Sequence, residues 1–372
     1  MNPAERLARE AVRALPVYNA GLSSAAVRAR YKVERIARLG SNENPYGASP
    51  AVHAALAGLA DEIWTYPDPS SSALKAAIAS RAGVAPCCVL VGNGSENLLE
   101  VLCLAFLNPG DRVVTQTPSF GLHVIYPRMM EAAVETVGLN LNLEYDVDAW
   151  VAAAARGPKM LILCNPSNPV GCRYDAHAFE RIVSAAPAHT LLVIDEAYFE
   201  YAVHDPAYPD ALAALRGRSG AWVVLRTFSK AWGLAGLRIG YGIASDAAIA
   251  SIGDRVRTPF NINQAAQSAA LAAWNDPSHM ERATATTVGE RERLVLSLRT
   301  ARLSGLRIAP SAANFLWLDL GRPNQPVHEA LLARGLITKA WNDPGFETCL
   351  RVSIGLPEEN DAFASALIEL LS

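Results

Sequence analysis

Between residues 89 and 245, short and almost unbroken apolar runs alternate with stretches whose apolar residues recur at helical spacing. The runs at 89–91, 112–116, 160–164, 191–194, 222–226 and 239–243 are rich in β-branched residues and too short for helices, so they predict strands. Segments 96–107, 122–132 and 176–185 follow three of these runs and predict helices. A strand that is apolar on both faces must be covered on both, as helices do for a mainly parallel sheet. The expected fold class is α/β.

The pattern changes after this region. A long helical stretch at 279–301 precedes two further strand-like runs, at 314–320 and 350–354, and a closing helix at 357–371. This tail reads as a second, smaller α+β domain. The first forty-odd residues lack sheet periodicity and read as an arm packed on that domain. The expected division is an arm over 1–45, a large domain over 46–278 and a small domain over 279–372.

Composition narrows the function. The chain has 372 residues with a formal net charge of -3, and no basic stripe that would suit a nucleic acid. No apolar run is long enough to span a bilayer. The opening Met1-Asn2-Pro3-Ala4-Glu5-Arg6 lacks the apolar core of a secretion signal, so a cytoplasmic protein is expected. The six cysteines include no Cys-x-x-Cys pair, and the seven histidines show no ligand spacing, so no metal site is expected. No Gly-x-Gly-x-x-Gly follows a strand, which argues against a nicotinamide enzyme.

The strongest local signal is Thr227-Phe228-Ser229-Lys230, followed by Gly233, Gly236 and Arg238. A lysine that forms an imine needs a depressed pKa, which nearby positive charge and partial burial supply. The hydroxyls and the arginine suit a phosphate close by. In Leu192-Val193-Ile194-Asp195-Glu196-Ala197-Tyr198 an acid ends a buried strand, where ligands bind in open α/β sheets. It could pair with a pyridinium nitrogen or cap a helix. The turn at Asn165-Pro166-Ser167-Asn168-Pro169 could fix the Asn168 amide, or be only a loop. Gly92-Asn93-Gly94-Ser95-Glu96 offers a helix start to an anion. Arg351 lies in the apolar run Leu350-Arg351-Val352, where burial demands an anionic partner, although alternation also allows it to face solvent.

Together with Ser41-Asn42-Glu43-Asn44-Pro45 and Tyr66-Pro67-Asp68-Pro69, these motifs resemble, in order along nearly the whole chain, the fold-type I pyridoxal-phosphate aminotransferases. The likeness is greatest to the histidinol-phosphate aminotransferase family. That resemblance implies pyridoxal 5′-phosphate joined to Lys230, which then shuttles the substrate proton. It implies Asp195 at the pyridine nitrogen, Asn168 and Tyr198 at the ring oxygen, and Phe120 stacked on the ring. Ser95, Glu96, Thr227, Ser229 and Arg238 would hold the phosphate, with Tyr66 reaching the cofactor of the neighbouring subunit in a homodimer. Tyr18, Asn44, Phe260, Lys339 and Arg351 would line the substrate side.

The implied reaction is ping-pong amino transfer between histidinol phosphate and 2-oxoglutarate. Lys339 stands where relatives often carry Arg, and Phe260 where many carry Tyr. With Trp341, Phe260 would also suit an aromatic amino acid, so a phenylalanine or tyrosine aminotransferase is the alternative. A pyridoxal-phosphate decarboxylase on the same fold and a non-catalytic sensor domain of a transcription regulator are further rivals. The first lacks support in the Asn-Glu-Asn-Pro arm, and the second carries a preceding DNA-binding domain.

Overall fold

In the computed structural model, described over residues 2–372, a two-residue strand β1 (Ala37–Arg38) precedes the seven strands of the large sheet. These are β2 (Val89–Gly92), β3 (Arg112–Gln116), β4 (Ala133–Val137), β5 (Met160–Cys164), β6 (Leu191–Asp195), β7 (Trp222–Thr227) and β8 (Gly240–Ala244). Their order across the sheet is β2-β8-β7-β6-β5-β3-β4. All pairings are parallel except the two that β8 makes, with β2 and β7.

The unbroken apolar runs have a direct structural cause. Alternate residues enter two separate cores on opposite faces of the sheet: Leu161, Leu163, Leu192 and Ile194 pack on one, Met160, Ile162, Leu191 and Val193 on the other. Strand β4 was not foreseen. It is an edge strand with an exposed Ala133 and Glu135 only half-buried, so it carries no apolar run.

The remaining strands are β9 (Arg307–Ile308), β10 (Phe315–Asp319), β11 (Leu336–Ile337), β12 (Lys339–Ala340) and β13 (Cys349–Ser353). Four of them form an antiparallel sheet in the order β12-β13-β10-β9. Leu316, Leu318, Leu350 and Val352 point to a core shared with Leu294 of helix Pro277–Thr300 and Phe363 of helix Pro357–Leu371. Arg351 alternates away from that core, and the same side of the sheet presents Phe315 and Trp317 to the large core. The arm divides its contacts. Strand β1 pairs with β11, and Val27 packs on Leu332 and Ile337, whereas Arg9 instead reaches the carbonyl of Met129 and the carboxylate of Glu131.

Candidate active site

The carboxyl ends of β2, β5, β6 and β7 share one rim, and strand order reverses between β3 and β5. In open α/β sheets this is where ligands bind. A cavity of about 440 Å³ opens there, closed on the far side by Lys339 and Arg351 from the small sheet and by Tyr18 from the arm. All the site residues expected from sequence line it except Asn44, Tyr66 and Phe260.

Lys230 follows the end of β7, and its Nζ donates to the Ser41 carbonyl at 2.9 Å. Burial, then the guanidinium of Arg351 and more weakly that of Arg238, brings its pKa down to about 8 against the opposing pull of Glu43 and Glu96. About a tenth of the amine is therefore already uncharged at pH 7, as a nucleophile or base requires.

Asp195 is the last residue of β6. Its Oδ1 accepts from the Ala197 amide at 3.0 Å, and its Oδ2 is 2.9 Å from His123 Nε2. His123 Nδ1 lies in turn 2.9 Å from Ser119 Oγ, and all three side chains are buried. His123 was absent from the sequence reading because nothing in the chain links it to a partner 72 positions away. With Cys164, His123 and Asp195 also bring three possible metal-ligand atoms within 4.8 Å of one another. The 2.9 Å contact is a hydrogen bond, and burial raises the Cys164 thiol well above its usual value, which disfavours the thiolate a metal needs.

At the other end of the cavity, helix Ser95–Phe106 begins after Gly94, whose φ is +88°. A Cβ on Gly94 would stand 2.6 Å from Arg238 Nη2, so glycine leaves room for the guanidinium. Arg238 bonds Ser229 Oγ at 3.3 Å and faces Glu96 at 3.6 Å. The Thr227 hydroxyl accepts from the Ser229 amide at 3.1 Å. Free helix N–H groups, two hydroxyls and a guanidinium converge as a cradle for a phosphate.

Arg351 Nη1 donates to Asn168 Oδ1 at 2.5 Å and Nη2 to the Gly40 carbonyl at 2.7 Å, while its buried Nε has no acceptor. Because the Asn168 carbonyl accepts from Arg351, its NH2 group is left to donate. Lys339 is the cross-strand neighbour of Arg351, bonds the Asn19 carbonyl at 2.6 Å, and is brought down to about 8 by burial and by Arg351. Two cations without a carboxylate partner mark this wall as an anion receptor.

A model of the class I and II aminotransferases matches residues 34–367. The chain belongs to the class I and II aminotransferases. Among relatives of this aminotransferase is histidinol-phosphate aminotransferase 3 of Rhizobium meliloti, 48% identical over 97% of each chain. Histidinol-phosphate aminotransferase 1 of Mesorhizobium japonicum is 44% identical over the full length of both. The crystal structure of a histidinol-phosphate aminotransferase from Sinorhizobium meliloti in complex with pyridoxal-5′-phosphate superposes with a TM-score of 0.87. It is 29% identical and covers 97% of this chain and 96% of its own. The fold expectation, a fold-type I transferase with a mainly parallel sheet, is met.

Two residues expected on the substrate side, Asn44 and Phe260, lie elsewhere in the aminotransferase, and Tyr66, expected at the neighbouring subunit's cofactor, lies outside its own chain's cavity. Asn44 is turned inward, donating to the Ala231 carbonyl at 2.8 Å and accepting from the Tyr46 amide. Its neighbour Asn42 lines the cavity instead and donates to the Tyr198 hydroxyl at 2.9 Å. Asn42, the asparagine of Ser41-Asn42-Glu43-Asn44 that faces the cavity, has a left-handed φ of +57°. Tyr66 and Phe260 stack on each other at 4.6 Å outside the cavity, with Tyr66 80% exposed. Among the described residues, no helix is long and apolar enough to cross a membrane.

Proposed function

We propose that this aminotransferase uses pyridoxal 5′-phosphate to move the amino group of histidinol phosphate to 2-oxoglutarate by a ping-pong route. The observation that carries the substrate reading is the paired Lys339 and Arg351, with an unsatisfied buried Arg351 Nε. A dianionic phosphate and a keto diacid both suit such a wall, and the relatives' names point the same way.

The residues present fit the cofactor. The Gly94 opening and the cradle of Ser95, Glu96, Thr227, Ser229 and Arg238 match its phosphate. Asp195 would face the ring nitrogen, Asn168 and Tyr198 the ring hydroxyl, Phe120 a ring face and Lys230 the aldehyde. Once bound, the cofactor supplies an electron sink for the pair left when the substrate carbon loses its proton. Lys230 Nζ takes that proton from the substrate's Cα and later returns one. Arg351 and Lys339 hold the anionic end of the substrate, and Tyr18, packed edge-on to Phe120 at 5.8 Å, limits water access.

We read the chain as an arm, a large and a small domain divided near residues 45 and 278, in keeping with its separate apolar cores. The assembly we propose is a homodimer. Trp64, 84% exposed, and Ile63 adjoin Tyr66, which as a patch calls for a covering partner. Six unpaired cysteines accord with a cytoplasmic setting.

The aromatic alternative rested on Phe260 and Trp341. Trp341 lines the cavity, and Phe260 does not. The deciding experiment mixes loaded enzyme separately with histidinol phosphate, phenylalanine, tyrosine and aspartate, and follows the loss of cofactor absorbance in the first half-reaction. Histidinol phosphate is expected to react with the largest kcat/KM; a preference for phenylalanine or tyrosine overturns the assignment.

A further inference from the structure

On the face of the large sheet that carries Trp274, a second cavity of about 550 Å³ opens beneath the segment 199–216. It shares no lining residue with the active-site cavity. Its walls are aromatic: Phe199 and Tyr208 approach to 6.2 Å on one side, and Tyr241 and Trp274 to 5.5 Å on the other. Its cations are Arg81, Arg216 and Arg226.

These arginines differ in what they have left to give. Arg226 is buried and committed to Glu196 at 2.7 Å, with its guanidinium 3.4 Å from the Phe199 ring centre. Arg81 lies 3.9 Å over the Trp274 ring and donates to that residue's carbonyl at 2.6 Å. Arg216 donates to the Ala82 carbonyl at 2.8 Å. Each guanidinium carries five N–H donors, so Arg81 and Arg216 keep charged donors after these main-chain bonds. Stacking on indole fixes the Arg81 plane without consuming its edge.

Two acids stand at the rim. Asp205 pairs with Arg173 at 2.6 Å, and Asp210 caps helix Ala211–Leu215 through the Ala213 amide at 3.0 Å. The exposed aromatic patch around Tyr66 lies beyond the opposite end of the 11-residue helix Ser72–Ala82, about 16 Å long at 1.5 Å per residue.

We propose that this cavity is a second binding site for a small aromatic carboxylate. Its carboxylate is received by Arg81 and Arg216, and its ring lies among Trp274, Tyr208 and Phe199. The volume falls in the range of small-molecule pockets. The site stands independently of the cofactor and donor assignments above.

The test titrates indole-3-acetate into the loaded enzyme by calorimetry, with 2-oxoglutarate saturating the active site. One molecule is expected to bind per chain in the presence of the keto acid. Neutral indole-3-acetamide is expected to bind at least about tenfold more weakly, since the charge-assisted bonds are lost. The double variant Arg81→Ala/Arg216→Ala should weaken indole-3-acetate about tenfold or more, and Val203→Trp, which fills the cavity from its half-exposed lip, should abolish binding. Unchanged amino transfer in both variants would show that they fold. Displacement by 2-oxoglutarate, equal binding of the amide, undiminished affinity in either variant, or no saturable binding overturns the proposal.

Discussion

At Lys230 the surroundings set the protonation state before any ligand arrives. With a pKa brought down to about 8, its amine is mostly charged at pH 7 and mostly free at pH 9. Below pH 8 the free fraction rises about tenfold per pH unit, so capture of the cofactor aldehyde by the unloaded protein should accelerate by that factor and level off above pH 8. Stopped-flow absorbance of apoprotein mixed with cofactor would measure it. A rate that keeps climbing to pH 10 would mean an unshifted lysine. The Ser119–His123–Asp195 chain acts one step further out. His123→Ala removes a buried hydrogen bond to a carboxylate, so kcat is expected to fall about tenfold, and Asp195→Asn should fall further. Single-turnover kinetics on both variants would show the order.

Lys230, Asp195 and Arg238 were legible in sequence because strand ends, glycines and charges cluster around each within a few positions. His123 and Asn42 were not, since their partners lie 72 and 156 residues away. Asn42, rather than Asn44, lines the cavity, with a left-handed backbone angle that residue type alone does not dictate.

Among elements, the doubly buried strands were the most legible, with several bounds read to within one residue. Among the strands, what escaped were the edge strand β4, the two-residue strands β1, β9 and β12, and the start of β8 at Gly240 rather than Ile239. Gly240 makes a close contact of its own. A Cβ there would stand 2.3 Å from the Ser95 amide nitrogen, so β8 presses directly on the start of the helix proposed to receive the cofactor phosphate. Gly240→Ala should therefore move that helix start, weakening cofactor affinity and lowering stability by about 1–3 kcal/mol. Equilibrium dialysis with the cofactor and urea unfolding would check both. Unchanged affinity would mean that the cradle does not depend on this contact.

At the scale of the molecule, the active site is a seam. The large sheet supplies the phosphate cradle, Asp195 and Lys230, the small sheet supplies Lys339 and Arg351, and the arm supplies Tyr18. In the proposed homodimer, the exposed Trp64 and the Tyr66–Phe260 stack would extend this shared construction to a second copy. Trp64→Asp is expected to shift the protein from dimer to monomer in sedimentation velocity, with loss of activity on the same concentration scale. A stable, active dimer in that variant would place the interface elsewhere.

The position of β2 has a consequence for synthesis. It is an outer strand whose only neighbour is β8. As the chain leaves the ribosome, β2 must therefore wait for roughly 150 further residues before its backbone amides can pair. Over that interval an apolar segment and the nascent cradle behind it stay unprotected. A ribosome-bound chain halted before Gly240 should be cut by protease near Val89, and one extended past β8 should resist.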